Sequence, residues 1–91
     1  MAEFRKLLYP VFEGDQEITE ITMRRPVVND FLISEQKNLK GSMAKDVDMI
    51  ARLTGLLPPT VAKLDMADFA WCQKTMLSFF GDAGGTETTP P

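Results

Sequence analysis

A chain of 91 residues, 44% hydrophobic and 25% charged, holds enough apolar material for one compact domain and is too short for two. Its net charge of −3 and its scattered basic residues argue against nucleic acid as a partner, because phosphate neutralisation supplies most of the non-specific affinity there. Histidine is absent, which removes the commonest general base and the commonest transition-metal ligand. The expectation is a binding protein, not an enzyme, with no cofactor and no metal. A single cysteine, Cys72, has no partner for an internal disulfide and cannot form a Cys-His nucleophile. No apolar run approaches the roughly 20 residues of a membrane span, and the first residues carry no secretory pattern. A cytoplasmic protein that does not engage membranes is therefore expected.

In chain order, residues 5–12 and 16–24 are expected to form a β-hairpin. Pro10 cannot donate to a ladder, so the first run should be an edge strand, and Gly14 suits the positive φ of the turn. The second run places Thr19, Ile21 and Met23 on one face. Ile18 breaks that alternation and marks either a bulge or a covered second face.

Pro26 fits the first position of a helix over 27–38, with Val28, Phe31, Leu32 and Leu39 on one stripe, ending near Lys40–Gly41. Ser42 is a candidate N-cap for a helix over 43–54 that Gly55 stops. Met43, Val47, Ile50 and Leu53 form its core stripe, and Met49 stands at the stripe's edge. Leu56-Leu57-Pro58-Pro59 ends that helix and opens a short turn through Lys63. Asp65 is the N-cap of a last helix over 66–80, with Asp68 in its first turn and Gly81 at its end. Phe69, Met76 and Phe80 are expected on its buried side, flanked by Met66, Cys72, Leu77 and Phe79. From Asp82 to Pro91 no large apolar residue occurs, so a flexible tail is expected. The predicted fold is α+β: an N-terminal hairpin, a three-helix bundle, one domain over 1–81 and a disordered tail over 82–91.

Two segments carry a resemblance. One is Ile18-Thr19-Glu20-Ile21-Thr22-Met23-Arg24-Arg25-Pro26, followed by Asp30. The other is Ile50-Ala51-Arg52-Leu53-Thr54-Gly55-Leu56-Leu57-Pro58-Pro59, then Val61 and Leu64-Asp65-Met66-Ala67-Asp68-Phe69. In their order and spacing they resemble the tail assembly chaperones of Mu-like and related contractile-tailed phages. The likeness spans about residues 7–80, and Leu57, which precedes the proline pair, is an extra residue against the family pattern. It implies a protein of the host cytoplasm that binds the tape measure protein and keeps it soluble during tail tube assembly. The tail tube protein is a further candidate partner, and a minor structural or adaptor protein of the tail is the alternative role. A small core with wide apolar faces also points to a homo-oligomer.

Six residues are candidates for partner binding. Trp71 falls away from the apolar side of the last helix, and tryptophan dominates interface hot spots, although it could instead pack under the hairpin. Met49 offers an adaptable thioether at a stripe edge. Arg24 and Arg25 could meet an acidic partner or simply be a solvated strand end. Leu56 and Leu57 extend the apolar face past the helix stop, where a turn would also explain them. Cys72 falls on the apolar side and is read as an inert core thiol.

Overall fold

The computed structural model describes residues 2–83, with side chains through Phe80. Two antiparallel strands, β1 (Glu3–Glu13) and β2 (Gln16–Met23), precede four helices. These are α1 (Val28–Gln36), α2 (Ser42–Thr54), the single-turn α3 (Pro58–Val61) and α4 (Met66–Ala83). The expected α+β hairpin-plus-helices architecture is present. Residues 84–91 of the expected tail lie outside the described residues, and Asp82 and Ala83 belong to α4. The last helix thus runs through Gly81 instead of ending there.

Gly14 takes φ 64° in the hairpin turn, as its sequence context predicts. The irregularity suspected at Ile18 lies on the other strand. Lys6 pairs with Glu20 and Val11 with Ile18, so Leu7 through Pro10 stand opposite Thr19 alone. This wide bulge accommodates Pro10, which has no N–H to give, and bends β1. It also frees the N–H groups of Leu8 and Tyr9 from the ladder. One face of the hairpin buries Leu7, Val11, Ile21 and Met23.

Those four residues meet Met49, Ile50, Ala51 and Leu53 of α2, Val61 of α3, Leu64, and Phe69, Cys72, Met76 and Phe79 of α4 in one core. Ile50 and Leu53 are buried as the stripe predicts. Met43 is 52% exposed instead, because it stands in the first turn of α2, outside this buried cluster. Gly41, not Ser42, is the N-cap of α2, with φ 88°, and Gly55 closes the helix in the left-handed region at φ 79°.

The buried stripe of α4 is rotated from the expected one. Phe69, Cys72, Met76 and Phe79 point inward, while Phe80 is only half-covered and Met66 and Leu77 are exposed. Asp65 caps the helix as predicted, accepting the N–H of Ala67 at 2.9 Å. The rotation follows from Asp68, which is fully buried and faces β1. Burial drives the Cys72 thiol up to about 11, so it stays protonated at neutral pH.

α1 departs most from its predicted form. It spans fewer residues than expected, Pro26 lies before the N-cap Val27, and its apolar stripe faces outward, with Val28 76% and Leu32 53% exposed. Its one buried residue is Asp30. The helix is fastened by charge instead of by apolar packing.

Candidate partner-binding groove

Two buried aspartates set the positions of the elements around the site. Asp30 accepts from Arg24 through both carboxylate oxygens, at 2.9 and 2.8 Å, from the backbone N–H of Val27 at 2.8 Å, and from Arg52 at 3.4 Å. It therefore ties the end of β2, the first turn of α1 and the last turn of α2 together. Asp68 does the same for β1 and α4. Its carboxylate accepts from Arg5 Nε at 2.9 Å, from the N–H of Leu8 at 3.1 Å to each oxygen, and from the N–H of Tyr9 at 3.5 Å. The donors freed by the bulge are thus satisfied by a charge from another element.

The paired Arg24 guanidinium holds Asp30 well below the usual carboxylate range, outweighing the opposing effect of burial. For Asp68 burial is the largest influence and pushes upward, yet the combined hydrogen bonds from Arg5, Leu8 and Tyr9 leave the group lowered. A depressed carboxylate stabilises the fold at every pH above its unfolded value of about 3.9, and that stability is lost as pH falls through the lower folded value. Urea midpoints are accordingly expected to be flat from pH 7 to about pH 5 and to drop steeply below about pH 4. Equal midpoints at about pH 5 and pH 2 would show that neither aspartate carries this load.

With α1 held by Asp30 and α4 by Asp68, a groove of about 490 Å³ opens between α1, α2 and α4. Met49 and Met76 are buried at its floor. Phe31 of α1 and Phe80 of α4 also line it and touch each other, with ring centroids 5.6 Å apart and planes tilted by 50°. Leu39 and the 62%-exposed Leu77 extend the apolar lining, and Ser34, Glu35, Asn38, Lys45 and Asp46 make a polar rim. An apolar floor within a polar rim is the usual anatomy of a protein-binding surface.

Of the six predicted partner-binding residues, Met49 lines this groove, although it is 4% exposed and belongs to the core. Trp71 lies elsewhere, half-buried against the core, with the Arg5 guanidinium 5.7 Å from its ring, beside a shallow depression lined by Ala67, Ala70 and Lys74. Arg24 is engaged with Asp30. Arg25 donates to the carbonyl of Phe79 at 3.2 Å and sits 5.2 Å over its ring. Leu56 packs against the core, whereas Leu57 is 59% exposed and its N–H donates to Glu13 at 2.8 Å. The six residues do not converge on one surface. Sequence reasoning missed Phe31, Leu77 and Phe80 as site residues by assigning them to core or flanking positions. The available signal was that the apolar stripes of the first and last helices are wider than one core needs.

A family model of phage tail assembly chaperone proteins, E, or 41 or 14, matches residues 5–81. The chain belongs to this family. Its role is accordingly that of a chaperone in phage tail assembly, a role that implies interaction with tail proteins. No curated protein and no solved structure matches the chain. The segments that carried the resemblance are those holding the chaperone's fold together, since Arg24, Asp30 and Asp68 are the ion-paired anchors. Leu57, the extra residue before the proline pair, is the N-cap of α3, whose first two positions are Pro58 and Pro59. Among the described residues no helix is long and apolar enough to cross a membrane.

Proposed function

We propose that this chaperone binds the tape measure protein and keeps it soluble until tail tube subunits polymerise around it, in the host cytoplasm of a contractile-tailed phage. The observation that carries the reading is the groove between α1, α2 and α4, where aromatic and aliphatic side chains stand open to solvent in a chain of this family. A long apolar client needs such a surface, because covering its exposed side chains removes the drive to aggregate. Methionines on the floor suit varied client segments, since thioethers repack at low cost. In this reading one domain over residues 1–81 does the binding, and the protein forms homo-oligomers through its remaining apolar surface. The tail tube protein is a second partner that would arrive as the client is handed over.

Co-expression tests the proposal. The tape measure protein is expected to move from the pellet to the soluble fraction when this chain is present. A double variant, Leu77→Glu with Phe80→Glu, is expected to lose most of that effect while keeping its melting behaviour. A client equally insoluble with and without the chain overturns the reading.

A further inference from the structure

We infer that the groove receives an amphipathic α-helix of its partner, carrying apolar residues at i, i+3 or i+4 and i+7 and basic residues on the flanks of that stripe. This deepens the proposed client binding and rests on it. The first argument is hydrogen bonding. Apart from Asn38 and Leu39 in the α1–α2 connection, the groove's lining residues stand on α1, α2 and α4, whose backbone groups bond along their own helices. They present no strand edge for an extended segment to pair with. An extended peptide lying there would bury backbone N–H and C=O groups without partners, at about 1–3 kcal/mol each. A helix satisfies its own backbone and needs only side-chain contact, which is the helix-in-groove mode of recognition.

The second argument is charge. Glu35 on α1 and Asp46 on α2 both line the groove. Asp46 accepts from Gln73 at 2.9 Å, and neither carboxylate has a cationic partner among the described residues. Lys45 is the one cation among the lining residues, and the whole chain carries −3. Lysines or arginines flanking the guest's apolar stripe meet these two carboxylates, and an acidic guest is repelled.

The test uses fluorescent synthetic peptides of about 18 residues, long enough to form five helical turns. The first has leucine at i, i+3, i+4 and i+7 in a lysine and alanine background. The second has the same composition with leucine and lysine alternating as in a strand, and the third replaces lysine by glutamate in the helical pattern. Anisotropy titrations against the full chain are expected to show the first binding at least about tenfold tighter than either of the others. Leu77→Glu, at an exposed position, is expected to abolish binding of the first peptide with an unchanged melt. Glu35→Lys with Asp46→Lys is expected to reverse the preference between the lysine and glutamate versions. Equal binding of all three peptides overturns the inference, as does binding that survives Leu77→Glu. A stable dimer that Leu77→Glu breaks but the first peptide fails to disrupt means a second copy fills the groove, and also overturns it. These outcomes are separable from client solubility. A client solubilised by a chain that prefers the strand-patterned peptide leaves the chaperone reading standing and removes only this one.

Discussion

Asp68→Ala is expected to cost roughly 3–5 kcal/mol of stability, the usual loss when one member of a buried ion pair is removed. Three donors lose their acceptor at once: Arg5 Nε and the N–H groups of Leu8 and Tyr9. The two backbone groups cannot return to the ladder, because the bulge has already carried them out of register with β2. Arg5 would also be left beside Trp71 without its counter-ion. A domain of this size has on the order of 5–10 kcal/mol in total, so the substitution removes a large share of it. Asp68→Asn keeps an acceptor oxygen but loses the charge, and its loss should fall between wild type and the alanine variant. Urea or guanidinium denaturation measures both. A loss below about 1 kcal/mol for Asp68→Ala would reduce Asp68 to an ordinary first-turn acid.

Asp30→Ala is the second large effect, and its signature is local. α1 buries no apolar side chain, so the carboxylate that joins Arg24, Val27 and Arg52 fastens its first turn to α2 and β2. At its other end Lys37 donates to the buried Asp48 of α2 at 2.6 Å. Arg24 is half-exposed and regains water when freed, which limits the expected loss to roughly 2–3 kcal/mol. Amide hydrogen exchange should show residues 28–36 losing protection while the amides of β2 and the middle of α4 keep theirs. Unchanged protection across α1 would mean that the Lys37–Asp48 pair and the Phe31–Phe80 contact hold the helix without Asp30. The variant also removes one wall of the groove, so client binding should fall further than the melting temperature alone predicts.

Local signals were legible wherever a residue's own backbone chemistry decides the outcome. Gly14, Gly55, Asp65 and the Pro58-Pro59 pair each mark an element boundary through φ preference, a missing N–H or a capping oxygen, and each stands where the sequence implied. Ile50, Leu53 and Phe69 were legible as core from periodicity, and Ile21 and Met23 as sharing one face of the second strand. By sequence Ile18 is either a bulge or a covered residue; the bulge lies on β1, and Ile18 packs part-buried against the core. Pro10 shows only that the ladder is interrupted, and which strand absorbs the extra residues depends on where Asp68 can reach two free donors.

By itself the sequence determined the α+β class, the order and approximate bounds of the elements and, through ordered short motifs, the family. These depend on chain-local properties: alternation, helical periodicity, caps and turn residues. Tertiary structure alone decided which of the other apolar residues are core and which are surface. Val28, Leu32 and Leu77 have the same chemistry as Ile50 or Leu53, yet they stand exposed because α1 is anchored by Asp30 and α4 is turned by Asp68. A helix's rotation about its axis is set by its strongest non-local contact. Here those contacts are buried carboxylates whose partners lie as many as 63 residues away in the chain, and no window along the sequence contains both ends.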